Sequence, residues 1–245
     1  MERRDQADSP TSELTAILLC GGKGERLKPF TDTLPKALVP LNGEPLLAHL
    51  MRYLSAAGIS RFVVCVGYKA AAIESFLSEN SAPSWQVTCV NSGDVSMTQR
   101  LLDARPYIPG TALVCYGDTL ANVDLASLLG AHRRNEALAT LTVYPLHSPF
   151  GIVHFDDSKR VTTFAEKPLL PYWINIGFLL CEPAALDFVS PGLQMPEYLS
   201  KLADAGALYT HEHRGKHLTV NTEKERALAE TEMIEFFTYM DGQIE

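Results

Sequence analysis

Between positions 20 and 36 the chain gathers Gly21, Gly22 and Gly24 with Lys23, Arg26, Lys28 and Lys36. These residues follow Ala16-Ile17-Leu18-Leu19-Cys20, an apolar run short enough to be one buried strand. Glycines directly after such a strand let the backbone turn sharply and bring bare N–H groups against a ligand. With four cations close by, the ligand that suits them is an anion carrying several phosphates. The spacing matches neither G-x-G-x-x-G nor G-x-x-x-x-G-K-[ST], so neither a Rossmann dinucleotide site nor a P-loop is indicated. Taken alone, the same residues also describe an ordinary strand-to-helix turn with solvated lysines.

A second candidate is Asp118, which follows Gly117 at the end of another apolar run, Ala112 to Tyr116. A carboxylate at the tip of a parallel strand is placed to hold Mg²⁺ between triphosphate oxygens. A helix-cap or turn aspartate is the alternative. Asn91 to Leu101 is a small polar loop feeding a helix, in which Ser96 or Thr98 could simply cap free N–H groups. His211, His213 and His217 surround a glycine turn rather than lying at i, i+4 on a helix, so solvated or capping roles fit them better than a metal site.

The elements that must position these groups alternate. Leu46, Leu47, Leu50, Met51 and Leu54 repeat at helical spacing after Pro45, with a stop near Gly58. Arg61 to Val66 reads as a strand, Ala71 to Leu77 as a helix and Trp85 to Val90 as a strand. Asp124 reads as the cap of a helix that ends near Ala131-His132. Ala137 to Tyr144 alternates like a central strand, and Asp156 to Lys159 marks a hairpin. Leu179 to Leu186 reads as a strand, Pro196 to Leu202 as a helix and Ala207 to Glu212 as a strand. Such alternation predicts parallel β-α-β units, with ligands gathered at the carboxyl ends of the strands.

The 245 residues suffice for one large α/β domain or two small ones, with 46% hydrophobic and 20% charged residues. A net charge of -8 argues against a nucleic-acid partner. No apolar run reaches the ~18 residues that span a bilayer. Residues 1–13 read as a flexible polar lead-in without a signal-peptide core. Five cysteines, mostly inside apolar runs and with no C-x-x-C pair, fit buried thiols in a reducing cytoplasm.

The string G-G-x-G-x-R-L-x-P-x-T from Gly21 to Thr31, then Leu34-Pro35-Lys36, Pro40 and Gly43, resembles the signature of the sugar-1-phosphate nucleotidyltransferases. The resemblance runs from about residue 14 to 235. It implies one Rossmann-like domain over 14–245, with a mixed, mainly parallel sheet flanked by helices. It also implies Mg²⁺ as cofactor and an NTP and a sugar 1-phosphate as substrates. The nucleotide would lie against Leu19, Cys20, Gly21, Gly22, Lys23, Gly24, Glu25, Arg26, Lys36, Thr98, Arg100 and Gly117, with Arg26, Lys36 and Asp118 catalytic. Glu166-Lys167-Pro168 and Asn175-Ile176-Gly177 match the segments that hold the sugar phosphate, which assigns Glu166, Lys167, Asn175 and Gly177. For Asn175 an internal hydrogen-bonded amide is the other reading.

Asn91 to Leu101 looks like the stretch that borders the base and ribose of CTP in the glucose-1-phosphate cytidylyltransferase branch, which favours CTP over GTP or dTTP. Gln99 replaces a glycine pair there, in a run one residue shorter. The stretch from Leu77 to Trp85 lacks that branch's insert, which leaves a homo-oligomer open. The largest departure is Asn221, which stands where the family's last motif has a second metal aspartate. The metal would then be held by Asp118 and Asn221, or the chain would be a weakened homologue that binds a nucleotide or nucleotide sugar.

Overall fold

The computed structural model describes residues 9–241, with side chains through Met233. The core is a seven-stranded sheet. Its strands are β1 (Thr15–Leu19), β2 (Arg61–Val66), β3 (Gln86–Asn91), β4 (Ala112–Tyr116), β6 (Ala139–His147), β9 (Leu169–Cys181) and β10 (Leu208–Glu212). They lie in the order β10-β6-β9-β4-β1-β2-β3. All run in one sense except β9, which is antiparallel to both β4 and β6. Short strands β5 (Thr119–Ala121) and β11 (His217–Thr219) pair beside the sheet. Strands β7 (Ile152–Phe155) and β8 (Val161–Ala165) form a separate hairpin.

Helices α1 (Leu46–Ala56), α2 (Ala70–Asn80), α3 (Met97–Ala104), α4 (Leu125–Arg134), α5 (Met195–Asp204) and α6 (Glu223–Asp241) complete the single α/β domain. Every residue of β1 is buried, because helices and loops cover both faces of the sheet. Ala16, Leu18 and Cys20 enter one hydrophobic cluster with Phe62, Val64 and Cys115, while Ile17 and Leu19 enter another with Val63, Cys65 and Val114. The alternation is the period of two that a strand imposes. Among the described residues no helix is long and apolar enough to cross a membrane.

Local signals act as read. Ser96 caps α3 by accepting from the Gln99 N–H at 3.2 Å, and Asp124 caps α4 by accepting from the Ser127 N–H at 2.9 Å. Three expectations need correction. The strand expected to reach Leu186 stops at Cys181, where Glu182-Pro183 turns the chain into a 3-10 helix over Pro183–Phe188. Packing extends back at least to Ser9, before Leu14: Thr11 is buried and donates to the Ala57 carbonyl, and Ser9 donates to the same oxygen at 3.1 Å. Gly58, at φ +99°, makes room for this turn, since a Cβ there would meet Ser9 Cβ at 2.6 Å. Residues 1–8 of the expected lead-in lie outside the described residues. Of the five cysteines, Cys20, Cys65, Cys115 and Cys181 are buried, but Cys89 on edge strand β3 is exposed.

Candidate active site

Strand order reverses at β1: the chain first builds β2 and β3 on one side, then crosses to β4 on the other. Loops leave the carboxyl ends of β1 and β4 in opposite directions, and an open α/β sheet has its crevice at that point. The crevice has a volume of about 300 Å³. Leu19, Cys20, Gly21, Gly22, Lys23, Lys36, Tyr116, Gly117 and Asp118 all line it. The Gly117 N–H donates to the Leu19 carbonyl at 3.2 Å. A Cβ on Gly117 would sit 2.9 Å from both Cys20 Sγ and that carbonyl, so only glycine lets the two strand ends approach this closely. Gly24 takes φ +64° and starts the Glu25–Leu27 turn that carries Arg26.

At one end of the cleft four groups from distant parts of the chain converge. Lys36 Nζ lies 2.7 Å from Asp118 Oδ2 and donates to Asn221 Oδ1 at 2.8 Å. Arg26 Nη2 donates to the same Asn221 oxygen at 3.1 Å. Asn221 arrives there because β11 pairs with β5 just after Asp118, and the Val220 N–H donates to the Asp118 carbonyl at 3.1 Å. Its own N–H donates to Glu225 Oε2 at 3.0 Å, which fixes the backbone. Lys23 stands at the other side of the mouth, paired with Asp94 at 2.9 Å. That pair holds the Asp94 carboxyl below its usual range and raises the Lys23 ammonium.

Arg100 is among the residues that line the cleft, whereas Thr98 is not. The Arg100 guanidinium is 3% exposed and donates to backbone carbonyls of Val66 (2.6 Å), Gly93 (2.8 Å) and Gly21 (3.3 Å). It lies under the glycine loop, and a Cβ on Gly21 would meet its Cζ at 2.1 Å. Its donors therefore tie three strand-end loops together while one edge borders the cleft. Thr98 is buried and donates to the Leu193 carbonyl.

The residues expected to hold the sugar phosphate sit on β9 and just after β8. Asn175 does two things at once: its Oδ1 accepts from the Gly177 N–H at 2.8 Å, and its Nδ2 donates to the Tyr116 hydroxyl at 3.2 Å. Gly177 (φ +79°) and Phe178 (φ +51°) bend β9 where its register against β6 shifts. A Cβ on Gly177 would touch the Tyr116 ring at 3.2 Å. Glu166 and Lys167 follow β8, both exposed, and Lys167 holds φ +45°, an unfavourable value for a lysine.

The histidines are less solvated than expected. His213 is buried and donates from Nε2 to the Lys216 carbonyl at 3.0 Å, and the His213 and His217 rings lie tilted against Tyr144. Burial pushes the His217 ring down to about 4, with the neighbouring His213 adding to the effect and Asp118 opposing it. Sequence reasoning overlooked Tyr116 as a cleft wall, whereas Asp94, Val95 and Met97 belong to the stretch that the resemblance set beside the base and ribose. Tyr116 had a signal, since it ends the strand that delivers Asp118.

Comparison with known proteins agrees with this geometry. Residues 15–218 match the family model described as Nucleotidyl transferase. The chain is 30% identical over 244 residues to the glucose-1-phosphate cytidylyltransferase of Salmonella typhi, covering 89% of this chain and 95% of that protein. It is 34% identical over 197 residues to the mannose-1-phosphate guanylyltransferase of Mycobacterium tuberculosis, covering 76% of this chain and 53% of that longer protein. Among solved structures, HddC from Yersinia pseudotuberculosis superimposes with a TM-score of 0.72 at 20% identity, over 90% of this chain and 99% of that one. A glycine loop and a carboxylate meeting at the sheet's switch point, on a fold shared with these relatives, make the chain a member of the nucleotidyl transferase family.

Proposed function

We propose that this chain transfers a nucleotidyl group from an NTP, with CTP favoured, to a sugar 1-phosphate, yielding an NDP-sugar and pyrophosphate. The observation that carries the reading is the convergence of Arg26, Lys36, Asp118 and Asn221 at the rim of the glycine-floored cleft. A phosphate oxygen of the sugar phosphate attacks the α-phosphorus in line. The new P–O bond forms as the bond to the β-phosphate breaks, and pyrophosphate leaves with the electron pair. Both reactants are anions, so positioning and charge neutralisation supply most of the rate. Arg26 takes the β- and γ-phosphates and the departing pyrophosphate. Lys36 takes the α-phosphate, Lys167 the sugar phosphate, and Asn175 with Glu166 the sugar hydroxyls. The N–H groups of Gly21, Gly22 and Gly24 cradle the triphosphate, and Val95 and Met97 offer an apolar face to the base.

Mg²⁺ is the proposed cofactor. Asp118 Oδ2 and Asn221 Oδ1 both reach one ammonium, at 2.7 and 2.8 Å, so both oxygens can approach one small cation. Such hard oxygen donors suit Mg²⁺, which fills the rest of its shell with water and phosphate oxygens. When bound it would offset the charge that develops on the leaving pyrophosphate. CTP is favoured because the similarity to the Salmonella typhi cytidylyltransferase spans nearly the whole of both chains. We place the enzyme in the cytoplasm.

Pyrophosphate release from a panel of NTPs with several sugar 1-phosphates tests the proposal. Turnover with CTP above the other NTPs supports it, and release with no combination overturns it. The neutral amide of Asn221 favours one second reading, a homologue that binds a nucleotide sugar without turning it over. Binding of an NDP-sugar with no release from any pair would select that reading.

A further inference from the structure

Asn221 carries more than a ligand's role would require. Its Oδ1 accepts from two cationic donors, Lys36 at 2.8 Å and Arg26 at 3.1 Å, and two such donors leave only the oxygen of the amide able to face them. Lys36 meanwhile lies 2.7 Å from Asp118, with its side chain 15% exposed. The cluster thus holds two positive groups and one carboxylate, where an aspartate at 221 would make it neutral. Glu225, the carboxylate nearest the Asn221 backbone, is engaged by the Thr219 hydroxyl at 2.9 Å and the Asn221 N–H at 3.0 Å. A cation arriving alone at Asp118 would have to displace an ammonium at 2.7 Å and sit beside Arg26. A polyphosphate arriving alone meets paired donors that keep a net positive charge.

We propose that Asn221 is a positioning residue that holds Arg26 beside Lys36 without neutralising them, so that the cleft takes a polyphosphate tail with no divalent cation present. The cation then enters with the polyphosphate or after it. This rests on the triphosphate reading of the cleft and adds an order of binding and a reason for the asparagine. Inorganic tripolyphosphate, which has no base or sugar, is the probe, titrated by calorimetry in EDTA and in Mg²⁺. The wild-type chain binds it in EDTA within about threefold of its affinity in Mg²⁺. Asn221→Asp binds it on the order of tenfold more weakly in EDTA, about one charge interaction's worth, and recovers in Mg²⁺. Asn221→Ala, which keeps the charge and loses the clip, weakens both titrations alike. Spin-resonance titration of the protein alone with Mn²⁺ retains the metal on Asn221→Asp at concentrations where the wild type leaves it free.

Wild-type binding of tripolyphosphate only with Mg²⁺ would overturn the inference and leave the proposed transfer reaction standing. The inference fails equally if Asn221→Asp leaves the ratio of the two affinities unmoved. Failure of tripolyphosphate and of every NTP to bind, with or without Mg²⁺, would remove the triphosphate reading as well.

Discussion

The two arginines bordering the cleft are held in opposite ways. Arg100 lies beneath the glycine loop, 3% exposed, and gives its donors to carbonyls from the ends of β1 and β2 and from the loop after β3. Arg26 lies at the rim and gives one donor to a side-chain amide. A buried guanidinium cannot turn away from its carbonyl partners without leaving its own donors unsatisfied, so the first arrangement is a fastening. A side-chain amide at an exposed rim can be exchanged for a phosphate oxygen, so the second is a position kept ready for a ligand. Lys36 belongs with Arg26 in this respect, since both its partners are side chains.

Substitutions that separate the two arrangements should differ in which quantity they move. Arg100→Met removes three charge-assisted hydrogen bonds, with only the Gly21 and Val66 carbonyls keeping a backbone donor (the Tyr68 and Ser92 N–H groups), and should lower stability by about 3 kcal/mol or more in urea unfolding. A large drop in turnover with an unchanged midpoint would instead move Arg100 to the ligand-facing group. Lys36→Ala should reverse the pattern, with kcat down on the order of 10²-fold, about 2.7 kcal/mol, and a nearly unchanged midpoint. Turnover equal to wild type would refute the assignment.

His217 tests whether the rim leans on a buried base. Its folded-state value of about 4 lies below the ordinary 6.5, so the unfolded chain takes up the proton first. Its contribution is complete above about pH 6.5 and is lost as pH falls toward 4. Discounted for the ring's partial exposure, the loss should be about 1–2 kcal/mol. Melting curves of His217→Phe should be correspondingly flatter over that window. The smallest effect is expected at Lys167, whose φ of +45° a glycine would relieve. Lys167→Gly should leave stability equal or higher by about 0.5–1 kcal/mol while KM for the sugar phosphate rises. A destabilised variant with unchanged KM would make the lysine structural.

The frame of the molecule was readable from residue types because burial and turns are local matters. Arg61 to Val66 and Ala112 to Tyr116 are strands with the bounds their apolar runs suggested, and Ser96 and Asp124 cap the helices expected of them. The meeting of Lys36 with Asn221, 185 positions apart, was accessible only through the family resemblance. Arg100 shows why the remainder was hidden. A basic residue beside a glycine loop reads the same whether it faces a phosphate or the underside of that loop, and only the fold of β2 and β3 around it decides. The paired left-handed residues Gly177 and Phe178 were equally silent, since a buried phenylalanine gives no sign of its backbone conformation.

The thiols give the sheet an internal gauge. Burial raises Cys65 to about 12 and Cys181 to about 11 and raises Cys20 and Cys115 as well; Cys89 is also raised, by partial burial, but is exposed on the edge strand. A disulfide reagent added to the native protein should therefore modify one sulfur promptly and the other four only as fast as their surroundings open. Cys20 sits at the floor of the crevice, so its labelling rate would follow how often that floor comes apart, and a ligand that clamps the glycine loop should slow it.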